Sequence, residues 1–192
     1  MMKILLVSRI FNKSGGISRY VAELAERFVK DYETHLLTTK YEYNVPNLVV
    51  HRKPMIEKPF WLQIASNAYY NTKYAKKLKK DFDIDIVHSQ GAESLFCDVV
   101  TMHSCHKAWI KYYGSWNLNN KIRSVFNPTN ITVLNIEKKV IKNCKKIIAV
   151  SKGVKREILE NYNVPAEKIE VIPTGVNLDE FKPDAKKREK NY

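Results

Sequence analysis

The chain has 192 residues, 44% of them hydrophobic, and a formal net charge of +13. This length and apolar content exclude a disordered chain and suit one layered domain with a tail. The charge admits a phosphorylated small molecule, an anionic membrane or nucleic acid as partner, or lysines that only solvate helix backs.

In chain order, Ile4–Ser8 (ILLVS) reads as a strand covered on both faces, because it is almost wholly apolar. Ile17, Val21, Leu24 and Phe28 then recur at helical spacing, which predicts one buried stripe of a helix. Thr34–Thr39 and Leu48–Val50 are the next strands, separated by a turn at Pro46. Pro59 to Phe82 reads as a long helix. Its aromatics Trp61, Tyr69 and Tyr70 are taken first as core and its lysines 73, 76, 77, 79 and 80 as a solvated back, with contact to an anionic membrane as the second reading. Ile84–Ser89 and Val99–His103 are strands. The stretch from Ser104 to Pro128, with Trp109, Tyr112, Tyr113 and Trp116, has no period that assigns it. Thr129–Asn143 is helical, Lys146–Val150 a strand, and Ser151 caps a helix to about Tyr162. A turn at Pro165–Lys168 leads into the last strand, Ile169–Ile172, and the chain from Pro173 reads as linker or tail. Alternation of strand and helix predicts an α/β domain, Rossmann-like and three-layered, with a mostly parallel sheet.

Several positions fall where such sheets collect ligands, at the carboxyl ends of the strands. Gly15-Gly16 sits between the first strand and the first helix, so backbone amides and a helix N-terminus meet there and favour a negative group. A nicotinamide fingerprint needs its glycines tight against the strand and an acid after the second strand. Here the glycines come late and the second strand ends Thr38-Thr39-Lys40, which disfavours a dehydrogenase. His103 ends a predicted strand at the ligand edge, followed by Ser104 and His106, while His88 inside a strand reads as a core residue. Gln90, Gly91 and Glu93 follow on the same edge. Pro173-Thr-Gly-Val-Asn177 is turn chemistry after the last strand.

Cys97, Cys105 and Cys144 form no paired spacing, and no signal peptide precedes the first strand, so a reducing, cytoplasmic setting is expected. His103, Cys105 and His106 match no zinc framework, and no metal is expected. No run approaches the roughly 20 apolar residues of a membrane span. No RRM, KH or helix-turn-helix signature supports nucleic acid as partner.

Taken in order, MKILLVS…SGGISRYVAELA, DIVHSQG, VVTMHS, KKIIAVSKGVKREI and PAEKIEVIPTGVNLDEFKP resemble the N-terminal domain of the family 4 retaining glycosyltransferases, which have the GT-B fold. The resemblance covers almost the whole chain. It implies residues 1–173 as a Rossmann-like acceptor-binding domain, one half of a GT-B fold, and residues 174–192 as the linker and the start of a C-terminal donor-binding domain. It further implies a nucleotide sugar as donor, a saccharide or lipid-linked glycan as acceptor, and no required cofactor or metal. By the same resemblance, Gly15 and Gly16 match the glycine loop beside the donor diphosphate, and His103 matches the histidine that reaches the transferred sugar. Ser151 matches the serine after the sixth strand, and Gly175 and Asn177 fall in the turn leading to the second domain. Arg19 matches a position basic in some subgroups. Gln90 stands where a histidine or aromatic is common, so acceptor preference does not carry over. The family's Glu-x7-Glu motif belongs to the second domain. Two other classes remain as expectations to be weighed: a non-catalytic basic module on a Rossmann-like scaffold, and a GT-B sugar-nucleotide epimerase fragment.

Overall fold

The computed structural model describes residues 1–114, 117–178 and 180–181. Strand β1 (Lys3–Val7) lies inside a sheet because both its faces are apolar. Ile4 and Leu6 pack with Val21, Ala22, Ala25 and Leu36, whereas Leu5 and Val7 pack on the other side with Leu37, Ala75, Leu78 and Val87. The other strands are β2 (Ile10–Phe11), β3 (Glu33–Thr38), β4 (Lys40–Tyr41), β5 (Val49–Arg52), β6 (Ile86–Gln90), β7 (Val99–Met102), β8 (Lys146–Ala149) and β9 (Ile169–Val171). A seven-stranded sheet runs in the order β5-β3-β1-β6-β7-β8-β9 and is parallel at every pairing, with β2 and β4 forming a separate parallel pair. Register is fixed through the centre, where Leu5 aligns with His35 on one side and Val87 on the other.

The helices are α1 (Gly16–Phe28), α2 (Phe60–Asp81), α3 (His106–Gly114), α4 (Leu118–Phe126), α5 (Pro128–Asn143) and α6 (Lys152–Asn161). α1 covers one face of β1 and α2 the opposite face. α5 continues the α2 layer, since Ala68 of α2 and Ile136 and Val140 of α5 share one cluster with Val100 and Met102 of β7. The result is the expected three-layer α/β domain with its strand carboxyl ends on a single edge.

The structure departs from the sequence expectation in four places. The unassigned stretch folds into α3 and α4, with Trp116 outside the described residues. α5 starts earlier than Thr129, because the Asn127 side chain accepts from the Thr129 amide at 2.8 Å and Pro128 occupies the first turn, where its missing N–H costs nothing. The buried face of α1 runs through Val21, Ala22 and Ala25, leaving Ile17 46% exposed. Ile17 instead lines the cavities at the ligand edge. Finally, Trp61 and Tyr69 are exposed, as are Trp109 and Tyr112, so these aromatics are not core. The inward face of α2 is made of Ser66, Asn67, Ala68, Asn71, Ala75 and Leu78, so aliphatic, small and polar groups, not the rings, face the sheet. Lys190, Asn191 and Tyr192 lie outside the described residues.

Candidate functional site

The glycine loop is built on one side chain. Asn12 Oδ1 accepts from the amides of Ser14 (3.1 Å) and Gly15 (3.3 Å) and from Ser18 Oγ (2.6 Å), pinning the loop to the first turn of α1. Gly15 is the extended residue before the helix, and a Cβ there would meet Ser18 Oγ at 2.7 Å. Among the described residues, a Cβ on Gly16 would meet nothing within 4 Å. The Gly15 amide is therefore spent on Asn12. The donors left for a ligand are first-turn amides from Gly16 onward, which have no acceptor inside the helix.

His103 follows β7 and lies beside the end of β6. Its Nε2 is 3.0 Å from Gln90 Oε1, and its ring meets that of Tyr20 edge-on at 5.1 Å. An amide oxygen only accepts, so Nε2 carries the proton and Nδ1 is the bare nitrogen. Burial holds the imidazole below its usual pKa, which keeps it neutral near pH 7. Gln90 is 1% exposed, and its Nε2 has no hydrogen-bond partner among the described residues. Gly91 follows at φ 46°, a left-handed conformation that glycine takes without Cβ strain, and turns the chain into a short 3-10 turn ending at Glu93. His88 is buried, bonds Thr101 Oγ1 at 2.8 Å and is the core residue expected from its place within a strand.

Beyond β9, Thr174–Asn177 returns to α1. A cavity of about 330 Å³ is lined there by Gly16, Arg19, Tyr20, His103, Gly175 and Asn177, among others. Five of the residues singled out from the sequence thus share one space. Gln90 meets His103 in an adjoining cavity of about 230 Å³, and Gly15 borders a third next to Arg9 and Glu93. Arg19 pairs with the Glu180 carboxylate and lies 4.9 Å from the centre of the Phe181 ring. Ser151 does something else: its Oγ accepts from the Val154 amide at 3.1 Å and caps α6, as the sequence predicts. It lines none of these three cavities. The neighbouring His106 and Cys105 bond Asn130 and Glu137, and His106 also lines the cavity of about 230 Å³.

Sequence reasoning misses a polar relay behind this edge. Lys53, 4% exposed, donates to Asn67 Oδ1 at 2.7 Å and Thr39 Oγ1 at 2.9 Å. Asn67 Nδ2 donates to Glu93 Oε2 at 2.7 Å, and Asn71 donates to the Glu93 carbonyl at 2.7 Å. Burial lowers the Lys53 ammonium to about 8, the Glu93 charge acting against that shift. Burial likewise raises the Glu93 carboxyl, opposed by Asn67 and by the charges of Arg9 and Lys53. The available signal was Asn67 and Asn71, polar residues four apart on a helix face that otherwise packs inward. Glu137 is also missed: it is buried in α5 and accepts from the amides of His106 (2.8 Å) and Lys107 (3.3 Å), anchoring the start of α3 next to His103.

Residues 14–180 match Glycosyltransferase Family 4. An uncharacterised glycosyltransferase of Methanocaldococcus jannaschii is 24% identical over 178 residues, which cover 87% of this chain and 44% of the relative. WaaG, a glycosyltransferase involved in lipopolysaccharide biosynthesis, superposes with a TM-score of 0.75 at 14% identity, over 98% of this chain and 51% of its own. HepE of Anabaena, solved with UDP and glucose, superposes with a TM-score of 0.53 at 12% identity, over 99% of this chain and 49% of its own. This chain therefore spans about half the length of the relatives it matches. The structural likenesses give the fold, one Rossmann-like half of the GT-B architecture, and the match over residues 14–180 gives the family: the chain belongs to Glycosyltransferase Family 4.

Proposed function

We propose that this chain is the N-terminal, acceptor-side half of a retaining glycosyltransferase, which moves a sugar from a nucleotide-sugar donor to a hydroxyl of a saccharide or lipid-linked glycan. The observation that carries this reading is the single cavity shared by the α1 N-terminus, His103 and the Thr174–Asn177 turn. The amides from Gly16 onward face the departing diphosphate, the charge on which backbone dipoles act best. Neutral His103 offers bare Nδ1 to a hydroxyl of the transferred sugar, and Gln90 fixes the ring's tautomer. The acceptor hydroxyl approaches from the side of Gln90 and Glu93. Cations of a second half, in residues beyond this chain's domain boundary near 173, complete the donor site, and no metal is asked for. Ser151 serves this site only through α6, and Gly175 and Asn177 form the hinge-side wall. Family membership and glycosyltransferase relatives favour this over a non-catalytic basic module or an epimerase fragment. Sugar transfer by the chain joined to a second α/β half of the family, with and without His103, is the deciding experiment.

The reading places the enzyme in the cytoplasm, in keeping with its free cysteines, and at the surface of an anionic membrane. Among the described residues no helix is long and apolar enough to cross a bilayer, so contact is peripheral. Exposed Phe60, Trp61, Trp109 and Tyr112, in a chain of net charge +13, combine interfacial rings with basic charge. Sedimentation with vesicles containing about a third phosphatidylglycerol should carry down several times more protein than neutral vesicles, and less in high salt. Equal recovery with both vesicle types would remove the membrane from the account.

A further inference from the structure

The cavity beside His103 is lined by more acidic than basic groups. In a chain of net charge +13, its charged lining among the described residues is Arg9 against Glu93 and Glu137. Its volume, about 230 Å³, lies below the roughly 300–1,000 Å³ of sites for drug-sized ligands and suits one ring-sized group. Its polar walls mix donors and acceptors: the Gln90 amide nitrogen, buried and without a partner among the described residues, the Arg9 guanidinium, and the Glu93 carboxylate. A hydroxyl both gives and accepts a hydrogen bond, so a polyhydroxylated ring satisfies such walls on all sides, whereas a purely anionic group satisfies only the donors.

Glu93 is held for this task from behind. The buried Lys53 ammonium fixes Asn67 by its Oδ1, which turns Asn67 Nδ2 onto Glu93 Oε2. Asn71 fixes the backbone of the same residue, and Gly91, at φ 46°, sets the turn that delivers it. A carboxyl group so positioned in the wall of a small cavity is preorganised and need not be ordered by its ligand.

We propose that Glu93 is the acceptor-specificity residue of this half, receiving a hydroxyl of an uncharged sugar ring seated beside His103 and turning away acceptors whose terminal ring carries a carboxylate or phosphate. The proposal rests on the glycosyltransferase reading given above and adds the class of acceptor to it. The Lys53–Asn67 relay is its positioning element, acting on Glu93 and not on the sugar.

The test uses the whole 192-residue chain, labelled with ¹⁵N and titrated in turn with methyl α-glucoside, methyl α-mannoside, methyl glucuronoside and glucose 6-phosphate. The neutral glycosides shift the amides of Gly91, Ala92, Glu93 and Ser104 saturably, and the two anionic probes bind at least about fivefold more weakly. Glu93→Gln weakens the neutral glycosides by about fivefold or more and closes the gap to the glucuronoside. Glu93→Asp keeps the charge, so it continues to exclude the glucuronoside, and it decides the matter if Glu93→Gln folds poorly. The proposal is overturned if the anionic probes bind as well as the neutral ones, if Glu93→Gln binds the neutral glycosides like the parent chain, or if no glycoside moves those amides. Loss of transfer on replacing His103 is a separate result. It upholds the enzyme reading even where Glu93 proves indifferent, and its failure leaves the Glu93 result standing as a sugar site without that chemistry.

Discussion

Single residues in this protein do their work through what burial makes of them. His88 is legible from sequence as a core residue, because a histidine inside an apolar parallel strand has nowhere else to point. Desolvation of the buried ring, with the neighbouring His103 adding to the effect, pushes its pKa from 6.5 down to about 4. The unfolded chain therefore takes up a proton between those values that the folded chain refuses, so stability falls as pH drops from 6.5 toward 4. The shift corresponds to about 3 kcal/mol at most. In urea titrations at pH 7 and pH 4.5, His88→Gln should lose markedly less stability across that step than the parent chain. Equal losses would mean that the acid sensitivity lies elsewhere. Lys53 shows the opposite case. Nothing in HRKPM distinguishes a buried lysine from a solvated one, since its partners Thr39, Asn67 and Glu93 are brought to it only by the sheet and α2.

At the scale of elements, what was legible depended on whether an element buries a face. β1 and α1 do, and their patterns place them within a few residues of where they are found. α3 buries no residue in its nine, so its sequence carries no stripe to read, and exposed rings such as Trp109 and Tyr112 mislead any reader who equates aromatics with core. The same distinction governs the glycine loop. Its late position after β1 was visible, but not that Asn12 takes the Gly15 amide and leaves Gly16 as the residue facing the cavity. Gly16 is helical, and a methyl group there touches nothing. Gly16→Ala should therefore leave stability unchanged or raise it by up to about 1 kcal/mol, since glycine loses more chain entropy than alanine. The methyl group would stand in front of the α1 amides, so binding of a nucleoside diphosphate, followed by calorimetry, should weaken severalfold. A stable variant with undiminished binding would show that the diphosphate does not meet this turn.

The molecule as a whole is half of an architecture. All of its strand pairings are parallel, so the carboxyl ends of β1, β6 and β7 stand along one edge, with the glycine loop, Gln90 and His103 beside one another. That convergence was legible in outline, because βα alternation dictates it. The relay behind Glu93 and the anchoring of α3 by Glu137 were not, since both rest on side chains that meet partners 14 to 31 positions away. The chain spans about half the length of its relatives, which is why transfer is attributed to the joined enzyme. The most direct measurement is transfer from labelled nucleotide sugars by the chain joined to a family second half, comparing His103 with His103→Ala. The account predicts that His103→Ala lowers kcat by about 100-fold or more with folding intact, whereas transfer at the parent rate by His103→Ala would contradict it.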